Sequence, residues 1–272
     1  MKLSLPQRSQ GRPRTQTPEI RTTVVTADHH LPNLDTATFR AVLNFIRDTR
    51  PDYHFLAGDL LDCADLSSFT KDPDQTGRTT EAIELANVML DELHEASPTT
   101  ITKVIFGNHD YRLTRRLHEN PDLIPFLTPQ GKTADHLLAD ALSLDAREIE
   151  WWPYRTIVNH FGYAISHGEY ANMHPAQKEM NAAGLPGVSG HVHRSSMWER
   201  KDKTGVKHWY SIGCMCETYV SYRPNNTFVN GFGVLSQVVG TDIYTFQQIP
   251  IVKGQFVWGT ALYDQDGVHR SK

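Results

Sequence analysis

The chain has 272 residues, which suits one large domain or two small ones and allows a sizeable buried core. A net charge of -4 with 21% charged residues excludes an overall basic surface for nucleic acid, although a local basic patch stays open. The three cysteines do not form a disulfide framework, and no apolar run suits a membrane span or a signal peptide. We therefore expect a cytoplasmic protein that makes no membrane contact.

The first 19 residues differ in composition from the rest of the chain. They contain three prolines and four basic side chains among glutamine, serine and threonine. Such a segment predicts a disordered or loosely docked basic tail, either solvated or in contact with an anionic partner. Residues 20–272 show no internal repeat and no linker, so we expect a single domain there.

The first half of that domain alternates strands with helices. β-Branched and apolar runs predict three strands, at 21–27, 53–57 and 102–106. Apolar residues at helical spacing predict two helices between them, from a capping residue at 35 or 36 to about 49, and from 79 or 80 to about 96. Such βαβ units have parallel strands joined by right-handed crossovers.

Each of these three strands ends in polar side chains. Because the carboxyl ends of parallel strands meet at one edge of a sheet, we expect these groups to share a crevice. Strand alternation would also place Asp28 and His30 on the same face. The polar ends are Asp28-His29-His30, Gly58-Asp59 and Gly107-Asn108-His109-Asp110.

A segment at about 111–160 interrupts the strand pattern and is interpreted as a lid-like insertion. It opens with a polar helix over 111–120 that carries several arginines. Arg112 is the arginine nearest to the strand-end groups. It is either a phosphate-binding side chain or part of a solvated helix face, and both interpretations stay open.

The second half is richer in β-structure and adds two more polar strand ends. A strand at 163–166 ends in His167-Gly168, and a helix at 175–183 leads to a strand ending in Gly190-His191-Val192-His193. We expect His191 and His193 to share a strand face. Further strands are predicted at 197–200, 208–215, 232–239, 242–251 and 256–263.

The strand ends together offer oxygen and imidazole donors without thiolates. Such donors suit Mn²⁺, Fe, Zn²⁺ or Ni²⁺. Seven of them are too many for one ion and suit two divalent ions, which can jointly activate a phosphate ester. The strand-end groups from which the ligands would come are Asp28, His30, Asp59, Asn108, His109, Asp110, His167, His191 and His193.

Taken in order, the five polar blocks resemble the motifs of the calcineurin-like metallophosphoesterase superfamily over about residues 24–193. The resemblance implies an α/β fold with two mixed β-sheets packed face to face and helices on the outside, a four-layer sandwich. The stretch 211–217, with Gly231-Phe232-Gly233, resembles a prokaryotic or phage-borne branch of that superfamily.

The resemblance also implies roles for individual residues. One metal would be held by Asp28, His30, Asp59 and His193, and the other by Asp59, Asn108, His167 and His191, with Asp59 bridging. Mn²⁺ is the expected ion, with Fe, Zn²⁺ and Ni²⁺ as alternatives. A metal-bridging hydroxide would attack phosphorus, His109 would protonate the leaving oxygen or stabilise the transition state, and Asp110 would orient His109.

Several substrates stay open within this reading. The stretch Leu60-Leu61-Asp62-Cys63 lacks the arginine that protein phosphatases of the superfamily carry, so protein dephosphorylation is not expected. The leading hypothesis is a phosphodiesterase acting on a nucleotide-type or small phosphodiester. The alternatives are a DNA or RNA exonuclease, a pyrophosphohydrolase of nucleotide-linked lipids and, from another class, a non-catalytic metal-binding scaffold.

Overall fold

The computed structural model describes residues 18–68, 77–127, 132–219 and 225–270. The predicted tail lies outside these ranges except for its last two residues. The first sheet has six strands. In spatial order they are β11 (Tyr244–Ile251), β10 (Asn230–Val238), β1 (Ile20–Thr26), β2 (Tyr53–Ala57), β3 (Ile101–Ile105) and β4 (Glu150–Trp152).

Strands β1 to β4 are parallel, as the βαβ pattern predicts, while β10 and β11 join the β1 side in antiparallel orientation. The second sheet has a parallel centre, formed by its three middle strands, and antiparallel edges. Its spatial order is β5 (Val158–His160), β6 (Tyr163–Ser166), β7 (Gly187–Ser189), β9 (Gly205–Ser211) and β8 (Ser196–Asp202).

Six α-helices connect or cover the sheets in the described part of the chain. The first begins at a capping residue that the sequence indicates, because Asp35 Oδ1 accepts a 2.9 Å hydrogen bond from the Thr38 amide. None of the described helices is long and apolar enough to cross a membrane. The helices are α1 (Thr36–Thr49), α2 (Thr79–Ala96), α3 (Tyr111–His118), α4 (Ile124–Leu127), α5 (Asp135–Ala141) and α6 (Pro175–Ala183).

Neighbouring residues of β1 pack on opposite faces of the first sheet. Val24 lies in the core formed with α1 and α2, whereas Val25 lies between the two sheets, in one cluster with Ile165 of β6. On the far side of the second sheet, Trp209 packs against Met180 of α6. The order helix, sheet, sheet, helix confirms the predicted four-layer fold.

The chain after residue 130 differs from the predicted strands at two points. The strand predicted at 256–263 is a hairpin of β12 (Phe256–Trp258) and β13 (Ala261–Asp264), because the chain turns at Gly259, where φ is +58°. A third strand, β14 (Gly267–Arg270), pairs with β13 and was not predicted. Residues 138, 139, 142 and 144 of the predicted insertion are buried in one core with residues of α1 and α2. A lid role for the insertion at about 111–160 stays a prediction.

Candidate metal centre

The polar groups that follow β1, β2, β3, β6 and β7 converge at one edge of the two sheets. Their burial is nearly complete at the centre, where Asp28 is 0% exposed and Asp59 and His167 are each 1% exposed. Charged groups so fully removed from water need a compensating charge or a metal. This edge is therefore the candidate functional site.

The backbone that carries these groups is not extended. The strand expected to present Asp28 and His30 on one face ends at Thr26, and the strand before His191 and His193 ends at residue 189. The prediction of shared strand faces was wrong. Instead, five of the seven candidate ligands have left-handed backbone angles: Asp28 (φ +58°), His30 (φ +48°), Asp59 (φ +50°), His191 (φ +71°) and His193 (φ +53°).

A left-handed conformation costs a residue with a side chain about 1–2 kcal/mol. Backbone hydrogen bonds hold the strained segments in place: the amide of Asp28 donates to Gly58 O and that of His30 donates to Asp59 O, each at 2.9 Å. The loops after β1 and β2 are thereby fixed to each other. Such strain is typical of functional sites, where the surrounding fold dictates the geometry.

Four of the donors surround one point. His193 Nε2 lies 3.3 Å from Asp28 Oδ1 and 3.1 Å from His30 Nε2. His30 Nε2 lies 3.6 Å from Asp59 Oδ2. These atoms belong to Asp28, His30, Asp59 and His193, the set that the resemblance implies for one metal.

The second set lies on the other side of Asp59. His167 Nε2 is 2.9 Å from Asn108 Oδ1 and 3.3 Å from Asp59 Oδ2. Ligand atoms of Asp59, His167 and His191 lie within 4.8 Å of one another. Asp59 Oδ2 thus faces both groups, which is the position a bridging carboxylate needs.

Hydrogen bonds on the far side of two imidazoles turn their Nε2 atoms toward the centre. His167 Nδ1 lies 3.0 Å from Ala57 O, and His30 Nδ1 lies 3.2 Å from Asp62 Oδ1. Because a carbonyl or carboxylate only accepts, both Nδ1 atoms carry a proton, and Nε2 is the nitrogen that a cation would bind after displacing any proton held there.

The electrostatics fit the same conclusion. Burial alone would raise the pKa of Asp59, but the imidazoles of His167 and His109 outweigh burial and hold this pKa well below its usual value. Burial lowers the pKa of His167, and Asp59 outweighs burial and raises it to about 9. Burial and His167 lower the pKa of His191 to about 4. The two buried carboxylates, Asp28 and Asp59, require positive charge, and with the nitrogen donors around them they fit divalent cations.

Glycines in the motifs make room for the ligands. A Cβ on Gly58, where φ is +91°, would stand 2.3 Å from His167 Nδ1. A Cβ on Gly190 would stand 2.6 Å from Asp28 Oδ2. The close approach of the loops therefore excludes a side chain at both positions.

His109 lies beside the shared carboxylate. Its amide donates to Asp59 Oδ1 at 2.8 Å, and its Nδ1 lies 2.9 Å from Asp62 Oδ1. Arg112 Nη2 lies 3.0 Å from His109 Nε2. Since a guanidinium only donates, Nε2 is the acceptor, and the Nδ1 proton of His109 is donated to Asp62.

The carboxylate beside His109 Nδ1 is that of Asp62, whereas Asp110, which was predicted to orient His109, contacts backbone amides instead. The carboxylate of Asp110 accepts hydrogen bonds from three backbone amides, those of Gly107 (2.8 Å), Leu61 (2.9 Å) and Leu60 (3.2 Å). Burial, with the charge of Asp59 added, raises the pKa of Asp110 to about 6. Asp110 therefore fixes the loop that carries Asp59, and both of its carboxylate oxygens accept hydrogen bonds from that loop or from Gly107.

Asp62 was missed because it follows no strand end. It stands three residues after Asp59, within the stretch considered only for its missing arginine. Its Oδ1 faces both His109 and His30. Burial would raise the pKa of Asp62, but hydrogen bonds from these two imidazoles hold it far below its usual value.

Arg112 and Cys216 both lie close to candidate ligands or to His109. Arg112 does lie at the site, but it donates to Asp62 O at 2.8 Å as well as to His109, so its phosphate-binding role stays a prediction. Cys216 was considered only as a disulfide partner. Its Sγ lies 3.9 Å from His193 Nδ1, and it groups with His30 and His193 within 4.8 Å.

The arrangement is that of a metal-dependent phosphoesterase. The family model described as calcineurin-like phosphoesterase matches residues 21–218, which include all seven candidate ligands, His109 and Arg112. The chain belongs to this family, as the five sequence blocks indicate. The family acts on phosphoesters, and its two-metal chemistry agrees with the two donor groups that share Asp59.

Solved structures give weaker similarities. A dimetal phosphatase from Danio rerio shares 9% identity at a TM-score of 0.41, covering 93% of this chain and 98% of that one. Vacuolar protein sorting 29 from Cryptosporidium parvum shares 10% identity at a TM-score of 0.47, and the match covers 93% of this chain and 99% of that one. A purple acid phosphatase from yellow lupin shares 12% identity at a TM-score of 0.46, and the match covers 89% of this chain and 53% of that one. Similarities of this size carry no argument about chemistry. No curated protein matches this chain.

Proposed function

We propose that this protein is a phosphodiesterase that uses two divalent ions, Mn²⁺ being the expected ion, to hydrolyse a nucleotide-type or small phosphodiester. One ion is assigned to Asp28, His30, Asp59 and His193, and the other to Asp59, Asn108, His167 and His191. The observation that carries the proposal is the position of Asp59 Oδ2, 3.6 Å from His30 Nε2 on one side and 3.3 Å from His167 Nε2 on the other.

Two ions held there would polarise the phosphoryl oxygens and supply the nucleophile. The chain itself supplies the proton for the leaving oxygen. His109 is the nearest candidate, since its Nε2 lies 4.0 Å from Asp59 Oδ2. A carboxylate behind its Nδ1, that of Asp62, stabilises the imidazolium form that a proton donor requires.

Arg112 would change partners during the reaction. At rest it donates to His109 Nε2, the nitrogen that must carry the proton. An anionic substrate competes for the guanidinium, because charged oxygens accept stronger hydrogen bonds than a neutral imidazole does. Arg112 would then bind a phosphoryl oxygen and leave Nε2 free to be protonated and to donate.

The charge of the site favours a diester over a monoester. A phosphomonoester carries about -1.5 to -2 charge near neutral pH, whereas a diester carries only one negative charge. Among the described residues, Arg112 is the arginine in contact with His109, and its Nη1 is already held by Asp62 O at 2.8 Å. A second negative charge would therefore have no ready partner on this side of the site.

The test compares substrates on Mn²⁺-reconstituted protein. We expect a higher kcat/KM for bis(p-nitrophenyl) phosphate than for p-nitrophenyl phosphate. His109→Ala should lose about 10²–10⁴-fold on a dinucleotide, whose alkoxide leaving group needs a proton, and less on the p-nitrophenyl diester. His118→Ala, an exposed histidine on α3, is the matched control.

Each outcome is decisive. No hydrolysis with Mn²⁺, Fe²⁺, Zn²⁺ or Ni²⁺ would contradict the enzyme assignment and favour the scaffold alternative. A preference for the monoester would contradict the diesterase assignment. Equal losses for His109→Ala on both diesters would remove His109 as the proton donor.

A further inference from the structure

A cavity of about 290 Å³ is lined by two segments that are close in sequence to the candidate ligands His167 and His193. Two segments line it, residues 172–177 between β6 and α6 and residues 194–198 at the start of β8. Both segments continue directly from metal-binding loops. Arg194 follows His193 in the chain, and Asn172 stands five residues after His167. The cavity is therefore placed to receive the part of a substrate that extends away from the ions.

One wall of the cavity is apolar and partly aromatic. Trp198 is half-buried against the core beneath α6, and the His174 ring lies 6.3 Å from it. Two methionines at the rim expose their thioethers, Met173 by 80% and Met197 by 52%. A flat ring can stack on such surfaces, whose shape adapts through the methionines.

Several polar side chains that line the cavity make no hydrogen bond with the described part of the protein. The side chains of Asn172, Gln177 and Arg194 make no hydrogen bond or ion pair with any residue that the structure describes. The hydroxyl of Ser196 is buried and also lacks a partner within the described chain. Buried polar atoms are normally satisfied, so an unpaired one in a cavity wall points to a ligand or water.

We propose that this cavity binds the base of a nucleotide whose phosphodiester is cleaved at the metal centre. The inference rests on the proposed function and names its substrate class. A nucleobase is flat, so it suits Trp198, and its edge both donates and accepts hydrogen bonds, so it suits Asn172 and Gln177. The guanidinium of Arg194 can stack on a base or donate to its acceptor edge. An acyl chain would leave these groups unpaired.

Binding of AMP tests the inference without any turnover. We expect calorimetry on the Mn²⁺-loaded protein to show that AMP binds about fivefold or more tightly than ribose 5-phosphate, since stacking of a base contributes at least that factor. Arg194→Gln and Trp198→Ala should each remove most of this difference. Trp198→Phe, which keeps a ring, should retain it.

The control variant is Arg200→Gln. Arg200 lies on the same strand, outside the cavity, and donates to Asn181. The Arg200→Gln variant should bind AMP with the same affinity as the unmodified protein. Because Trp198 also packs against the core, Arg194→Gln carries the test if Trp198→Ala unfolds at a lower temperature.

Failure of this inference differs from failure of the proposed function. Protein that cleaves bis(p-nitrophenyl) phosphate but binds AMP and ribose 5-phosphate equally would overturn the base pocket alone. Protein that prefers AMP but cleaves no diester would keep the pocket and overturn the proposed function. A preference for AMP that survives Arg194→Gln and Trp198→Ala would place the base elsewhere and overturn the inference.

Discussion

Replacing Asp62 with asparagine is the most informative perturbation of the site. Its carboxylate accepts from His109 Nδ1 at 2.9 Å and from His30 Nδ1 at 3.2 Å. Asparagine keeps the shape of the side chain but removes the charge that stabilises a protonated His109. Asp62→Asn should therefore slow the step that needs a proton while the fold stays intact.

The magnitude follows from these two contacts. A hydrogen bond to a charged group contributes about 1.5–3 kcal/mol. Loss of the bond that supports the imidazolium of His109 should cost about 2–3 kcal/mol of transition-state stabilisation, or about 30- to 150-fold in kcat. Loss of the bond to His30 should weaken metal binding by about 10- to 100-fold.

The assay separates the two effects. The Mn²⁺ dependence of hydrolysis gives the metal affinity, and kcat at saturating Mn²⁺ gives the proton-transfer effect. The expected loss in kcat is larger for a dinucleotide than for bis(p-nitrophenyl) phosphate. Asp65→Asn is the matched control, because Asp65 lies in the same loop but accepts from Thr79 and not from a histidine. If Asp62→Asn matches Asp65→Asn at saturating Mn²⁺, or if Asp110→Asn alone shows the leaving-group dependence, the assignment of Asp62 is wrong.

Three further predictions concern the ligands and their support. Cys216→Ala should lower Mn²⁺ affinity several-fold, because His193 Nδ1 loses the sulfur 3.9 Å away. Cys63→Ala, whose thiol makes no hydrogen bond to His193, should not, and Mn²⁺ titration followed by electron paramagnetic resonance measures both. Gly190→Ala should destabilise the fold by about 1–3 kcal/mol or abolish metal binding, since its Cβ would stand 2.6 Å from Asp28 Oδ2; thermal unfolding with and without Mn²⁺ distinguishes these results. The metal-free protein should lose stability as pH rises toward about 9, because the protonated His167 stabilises the fold fully only below the usual pKa of histidine and its own pKa is raised to about 9. The gain in Tm on adding Mn²⁺ should grow over the same pH range. A constant gain would contradict the pairing of His167 with Asp59.

The layers of the fold were predictable because the buried faces of helices and strands appear in the sequence as apolar residues at regular spacing. The apolar runs at 53–57 and 163–166 match β2 and β6, and the helical spacing at 175–183 matches α6. The end of β9 was predicted four residues late, at 215, although the strand stops at Ser211. Residues 212–216 are apolar because they are buried under the site, and burial alone does not distinguish a strand from an irregular segment.

The proximity of the candidate ligands to one another was predictable, but their backbone geometry was not. Strand alternation suggested shared faces for Asp28 and His30, whereas both lie beyond the strand in left-handed conformations. That conformation is uncommon outside glycine, even though aspartate and histidine adopt it more often than most residues, so the sequence does not predict it. It is imposed by contacts from elsewhere in the chain, such as the bond from the His30 amide to Asp59 O.

The exchange of roles between Asp62 and Asp110 shows the same limit for supporting residues. Both are aspartates close to a ligand in sequence, and each could in principle face His109. Asp110 begins α3 and turns its oxygens back onto the amides at 60, 61 and 107, so it cannot reach the imidazole beside it. Asp62 reaches His109 because those same hydrogen bonds fold its loop under the ring. The carboxylate adjacent in sequence thus builds the loop that delivers the carboxylate adjacent in space, and loss of Asp110 should displace Asp62 as well.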